Sequence, residues 1–229
     1  MEFSKRAFEK LVDPKITGEP ARELLLPPFH ALERYCKQRP NDAAALHLFA
    51  LVCERLDLTS RALDLLSRTI VLLEHTYEET EDARTEEQFA VANDTLGRLR
   101  LASGDFAGAV EAFGSALSLL SVDDGARRTK TLRAHAQFGS GLAQYRLGEL
   151  EGALGMFESA LGELPAEMGE VRGHVTVLLA QTLWALGGDE AHETARGQLL
   201  EWWVSCLGLY GFLCRDDMFL IVFQRILRI

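Results

Sequence analysis

The chain has 229 residues, 48% of them hydrophobic, which suffices for a continuous core in one large domain or in an array of small units. Its formal net charge of −10 argues against nucleic acid or an anionic membrane as the main partner. No apolar run reaches the ~18 residues of a membrane span, and the first residues lack the apolar stretch of a secretory signal.

In chain order, residues 1–28 hold four of the six prolines (Pro14, Pro20, Pro27, Pro28). They predict a short first helix, a turn and an irregular approach. Helix resumes over 29–39 and stops at Pro40, which cannot continue a helix interior. Asn41 or Asp42 caps the next helix. Residues 43–73 read as a helix pair in which Ala50 permits close approach, Cys53 follows, Asp57 occupies the turn, and Ala62 and Leu66 line the second helix. The Glu-rich run 74–90 extends the helices beyond the core, and 121–131, with Asp123-Asp124-Gly125, reads as a loop.

Between and after these runs, one pattern occurs twice. Gly97, Gly104, Phe106, Ala109, Phe113 and Ala116 recur 44 residues later as Gly141, Gly148, Leu150, Ala153, Phe157 and Ala160, followed by Pro165. A small residue is followed by a turn Gly, then by small and aromatic residues at steps of three and four. This is the tetratricopeptide pattern, in which two antiparallel helices, A and B, cross at small residues. Gly97 and Gly141 bring helix A against helix B, while Gly104 and Gly148 supply a left-handed turn. A further copy begins near Val171, reaches Gly187-Gly188 and continues through EAHETARGQLLE. A fifth runs from VSCLGLYGFLCRDD into MFLIVFQRILRI but has Leu220 in place of the small B-helix residue. The expected fold is all-α, a tetratricopeptide-repeat superhelix (α-solenoid). Residues 1–40 form lead-in helices and the last helix of a preceding repeat. Residues 41–229 form four to five helix pairs with junctions roughly ten residues longer than the ~34-residue unit allows.

Candidate chemistry is sparse. Asp189-Glu190-Ala191-His192 spells a helicase nucleotide-hydrolysis box, but the chain has no Gly-Lys pair for a phosphate loop. The run reads as a helix start with Asp189 as N-cap and Glu190 in the first turn. Gly139-Ser140-Gly141 lacks the spacing of a nucleophile elbow and reads as helix packing. The six histidines are dispersed, with no two three or four apart. Four cysteines (Cys36, Cys53, Cys206, Cys214) without a CxxC pair read as reduced, buried thiols. The acids of 74–87 read as a solvated helix face. The basic patch Arg127, Arg128, Lys130 and Arg133 reads as salt-bridging to neighbouring acids rather than contacting phosphate. No enzyme, metal or cofactor is expected. The Lys/Asn/Arg clamp with which some tetratricopeptide proteins hold a C-terminal carboxylate maps here to His47, Leu51, Thr95, His135 and Gly139, so that clamp is missing.

Beyond the generic repeat, the runs HLFALVCERLDLTSRALDLLSRTIVLLEHTYEETED, LGRLRLASGDFAGAVEAFGSALSL and LAQTLWALGGDEAHETAR resemble the fungal tetratricopeptide subunit of the superkiller complex, over about residues 20–215. The resemblance implies a non-catalytic cytoplasmic solenoid, with a nuclear pool left open. It would hold an RNA helicase and WD-repeat subunits in an assembly that feeds mRNA to the exosome for 3′-to-5′ decay. The family protein is several times longer, so this chain is expected to be a fragment or a truncated product. Its tail, with Met218, Phe219, Ile221 and Phe223, is unusually apolar for a solenoid end and is expected to be covered by further repeats or by a partner. Trp202, Trp203 and Tyr210 are candidate partner contacts, set against simple packing within the last repeats. The rival reading is a generic adaptor that takes an extended peptide in its concave groove. Neither reading involves direct nucleic-acid, membrane or small-molecule binding.

Overall fold

The computed structural model describes residues 19–120 and 127–210, and every regular element among them is an α-helix. In order these are α1 (Glu19–Gln38), α2 (Ala43–Arg55), α3 (Thr59–Thr80), α4 (Ala83–Ser103), α5 (Phe106–Leu119), α6 (Arg127–Leu147), α7 (Leu150–Glu163), α8 (Gly169–Leu186) and α9 (Asp189–Tyr210). The repeat pattern makes α2, α4, α6 and α8 the A helices and α3, α5, α7 and α9 the B helices. The chain divides into two compact units, one up to Leu99 and one from Arg100 onward.

In the first unit α1 packs on α2 and α2 on α3. Ala50 and Ala62 are fully buried, consistent with small residues where the two helices approach. Asp42 caps α2 by accepting from the Ala45 amide at 3.0 Å, and its other oxygen accepts from the Tyr35 hydroxyl of α1 at 2.9 Å. Asp57, in the turn where most copies carry Gly, adopts φ +61°. Arg61 of α3 ties α1 to this pair. Its guanidinium lies 5.0 Å from the Phe29 ring and 4.9 Å from the Phe49 ring, and it donates to Glu33 at 2.6 Å. That hydrogen bond holds the Glu33 carboxyl below its usual range.

Over residues 19–28 the expected irregular approach is instead helix, with Pro27 and Pro28 inside α1, while residues 1–18, where the short first helix was expected, lie outside the described part. Two prolines remove two helical N–H donors, a cost of several kcal/mol by the usual ~3 kcal/mol per residue. Tertiary packing outweighs it. Leu25 is buried together with Val52 of α2 and Leu56, the residue that caps its C-terminal end, and Phe29 and Leu32 pack against them. The i, i+4, i+7 spacing of Leu25, Phe29 and Leu32 requires a helix to present one face.

In the second unit α5 packs on α6, α6 on α7, α7 on α8 and α8 on α9, and α6 also touches α8. Within this unit α7 meets both its own A helix, α6, and the next, α8. Gly104 and Gly148 both take φ +84°, closing the turns before α5 and α7. Phe113 and Phe157 are completely buried among alanines. A Cβ on Gly141 would lie 2.8 Å from Phe157 Cε1, so the α6–α7 crossing depends on that glycine. Arg172 of α8 donates to the Leu161 and Leu164 carbonyls at 2.8 and 2.7 Å, satisfying carbonyls that the end of α7 leaves open.

Two further expectations change. Helix α6 begins at Arg127, so residues 127–131 are helical rather than loop; residues 121–126 lie outside the described part. The A helix expected to start at Val204 does not begin there, because 189–210 is one unbroken helix. The run from Ala195 to Tyr210 contains no Pro, and no turn Gly interrupts it at 204. The rest of that copy, with the apolar tail, lies outside the described residues.

Candidate protein-binding faces

Burial leaves each A helix one stripe of accessible side chains, because it packs on more than one side. On α2 the stripe runs through Ala44, His47, Leu48 and Leu51; on α4 it includes Arg84, Gln88, Val91 and Arg98. On α6 it is His135, Phe138, Leu142 and Arg146, and on α8 it is His174, Leu178 and Gln181. These positions recur at steps of three and four, which is one face of a helix.

In the first unit, Ala43, Ala44, His47, Leu48 and Leu51 of α2 join Leu73 of α3 and Gln88 of α4 around a mostly apolar depression of about 200 Å³. His47 Nε2 lies 3.3 Å from Thr95 Oγ1, and Thr95 Oγ1 donates its proton to the Val91 carbonyl at 2.9 Å. The hydroxyl therefore accepts from His47, which fixes the Nε2–H tautomer. Burial, and then the nearby Arg98 charge, lower the His47 pKa to about 4, so the ring is neutral at pH 7. Arg98 is itself held by Glu54 at 3.3 Å and Asp94 at 3.5 Å.

A second depression of about 410 Å³ lies at the α8–α9 turn and is lined by Trp184, Asp189, His192, Glu193 and Arg196. The His192 ring stacks on the Trp184 indole at 3.9 Å and 21°, and Arg196 lies 5.8 Å from the same ring. The helicase-like letters at 189–192 thus start a helix, as expected. Gly188 rather than Asp189 provides the first accepting carbonyl, to His192 N at 3.0 Å. The Trp184–His192 stack was not anticipated. Its only sequence signal is a Trp eight residues before a His across a Gly-Gly turn.

Of the clamp positions, His47 and Thr95 meet, His47 and Leu51 share the depression, and His135 is exposed on α6. Gly139 is not a groove position: a Cβ there would meet Phe113 Cζ at 2.3 Å, which makes it a packing glycine, as the sequence suggested for that run. In the basic patch, Arg133 pairs with Glu163 at 2.7 Å, as expected, and Gln137 donates to the same carboxylate at 3.4 Å. Cys36 and Cys53 are buried free thiols. Burial raises both pKa values, that of Cys53 to about 11. The backbone of Trp202, Trp203 and Tyr210 continues α9, but their side chains lie outside the described residues.

No protein-family model matches the chain. Superkiller protein 3 of Schizosaccharomyces pombe is 34% identical over 174 residues, which is 75% of this chain and 12% of that protein. The chain therefore spans about one eighth of the length of this relative. Among solved structures, repeats described as a kinesin light chain with nearly identical TPR-like repeats, from Podosopora anserina, align with a TM-score of 0.65 at 18% identity, over 89% of this chain and 94% of theirs. MamA from Desulfovibrio magneticus RS-1 aligns at 0.63 and 13% identity, over 91% of this chain and 99% of its own. At these identities the solved structures speak for the fold alone. No described helix is long and apolar enough to cross a membrane. The chain has the tetratricopeptide-type fold and is similar, over three quarters of its length, to a segment of superkiller protein 3.

Proposed function

We propose that this chain is a non-catalytic scaffold segment of a superkiller-type assembly, holding an RNA helicase and WD-repeat subunits that pass mRNA to the cytoplasmic exosome for 3′-to-5′ decay. The observation that carries this reading is the 34% identity to superkiller protein 3 over 174 residues. The architecture supports it. Within each compact unit the helices stack closely, with Phe113 and Phe157 buried against alanines in the second, and the A-helix stripes offer surfaces on which partners can be held. The work of such a protein is geometric. It binds by burying apolar anchors and does no chemistry itself.

Affinity capture of the full chain from cytosolic extract of its own source, with mass spectrometry of bound proteins, tests the proposal. Recovery of a superfamily 2 helicase together with a WD-repeat protein is the expected result. Recovery of chaperones, or of a single unrelated partner, overturns it. That second outcome favours the rival reading, an adaptor that takes an extended peptide, for which the depression beside His47 and Leu51 is the specific support.

A further inference from the structure

The side chains around the α8–α9 depression form one construction. Asp189, His192, Glu193 and Arg196 stand at i, i+3, i+4 and i+7, a single face of the first two turns of α9. Gly187 and Gly188, both at positive φ, fold that face back against Trp184 in the last turn of α8. The His192 ring is fixed twice: its face stacks on the indole, and its Nε2–H donates to the Trp184 carbonyl at 3.3 Å. Arg196 lies 5.8 Å from the same indole instead of pairing with Glu193 three positions before it. Among the described residues, no hydrogen bond or ion pair engages the side chains of Asp189, Glu193 or Arg196. Packing of the turn explains the stack. It does not explain a depression of about 410 Å³, the size of a small-ligand site, that carries two uncommitted carboxylates.

We propose that this depression takes an arginine side chain of a partner protein, its guanidinium laid on the Trp184–His192 stack and held by the Asp189 and Glu193 carboxylates. The site lies where α8 turns into α9. Four of its five side chains belong to the B helix, so it is separate from the A-helix stripes. The inference rests on the scaffold reading only in treating the chain as a protein-binding module. Charge selects a cation: two carboxylates line the site against one guanidinium, and Glu190 is exposed beside them. The positive N-terminal end of α9 opposes a cation and the negative C-terminal end of α8 favours it. The two ends meet at this turn and offset each other, which leaves the side chains to decide. Arginine suits the site better than lysine. Carboxylates at i and i+4 of a helix stand about 5–6 Å apart at Cβ. A guanidinium bridges that gap with its planar fork of N–H groups while its flat face rests on the rings; an ammonium is a point charge that does neither. The site is open to water, so one arginine binds weakly, and repulsion from Arg196 weakens it further.

The test is a nitrogen-15 NMR titration of the full chain with N-acetyl-arginine methylamide into the millimolar range. The indole N–H signal of Trp184, identified by its loss in Trp184→Phe, reports occupancy. Capped arginine shifts it saturably, capped lysine binds several-fold more weakly, and capped citrulline, which keeps the shape without the charge, does not bind. Raising salt from about 50 to 200 mM weakens the arginine complex. Asp189→Asn with Glu193→Gln weakens it by about fivefold or more, and Arg196→Gln tightens it. Asp64→Asn with Glu74→Gln, two exposed acids of α3, changes nothing, and circular dichroism checks that all variants stay helical. Three results overturn the proposal: no saturable shift with capped arginine, an equal response to capped citrulline, or binding of capped aspartate that Arg196→Gln abolishes. Affinity capture separates the two readings. A helicase and WD-repeat protein recovered by a chain that fails to bind capped arginine rejects this site and leaves the scaffold standing.

Discussion

Gly139 of α6 lies directly against Phe113 of α5, and replacing it with Ala sets two opposing effects against each other. In a helix interior, Ala is better than Gly by about 1 kcal/mol. A Cβ at 139, however, lies 2.3 Å from Phe113 Cζ and 2.7 Å from both Cε atoms, where carbon–carbon contact settles near 3.5–4.0 Å. The ring would have to retreat by roughly 1 Å. It has nowhere to go, since Phe113, Ala109, Ala116, Ala136 and Ala143 form one buried cluster. Overpacking of that kind costs about 1–3 kcal/mol, and a gap this short belongs at the upper end. The net expectation for Gly139→Ala is a loss of about 1–2 kcal/mol. Gly155→Ala on α7, where nothing lies within 4 Å of the added atom, should instead stabilise by about 0.5–1 kcal/mol. Urea unfolding followed by circular dichroism gives both signs. Hydrogen exchange of α5 and α6 amides localises the change, which matters because helix arrays do not always unfold in one step. Adding Phe113→Leu to Gly139→Ala should cost less than the sum of the two single changes by about 1 kcal/mol. A Gly139→Ala chain as stable as the parent would refute the packing argument.

Three other predictions follow from single side chains. The His47 pKa of about 4 lies below its unfolded value near 6.5, so between those pH values the unfolded chain binds more protons. Stability is therefore full above about pH 6.5 and is lost as pH falls towards 4, by up to about 3 kcal/mol. His47→Asn should flatten that part of the pH profile in thermal melts, and parallel profiles for the two chains would count against it. Arg61→Ala removes both aromatic contacts and the Glu33 bond, and should loosen α1 by about 1–2 kcal/mol. Limited proteolysis should then cut within 19–38 first; unchanged cleavage would show that apolar packing alone holds the helix. With Cys206 and Cys214 changed to Ser, Cys36 and Cys53 should resist a thiol reagent until the chain is unfolded, and fast labelling of the native protein would contradict their burial.

Much of this fold was legible because the repeat writes its packing into residue size. The small-Gly-aromatic series shifted by 44 positions located the crossings of α6 with α7, and both turn glycines adopted the left-handed conformation the pattern demands. The failures have local causes. Pro27 and Pro28 suggested a break, but the apolar spacing of Leu25, Phe29 and Leu32 prevailed through burial on α2. Asp123-Asp124-Gly125 suggested a loop as far as residue 131, yet the helix starts at Arg127, where Arg133 and Gln137 further along the same helix reach Glu163. The run VSCLGLYGFLCRDD suggested a new A helix from Val204, but nothing before it stops α9. Surface features were harder to read: the Trp184–His192 stack joins residues across a turn that no periodicity describes.

The scaffold claim is tested most directly by mixing this chain with the purified helicase and WD-repeat subunits of its own source and measuring mass by light scattering after size exclusion. The account predicts one co-eluting species of fixed stoichiometry that forms without nucleotide or RNA. Separate elution of the chain at concentrations well above the usual micromolar range of transient partners would contradict it.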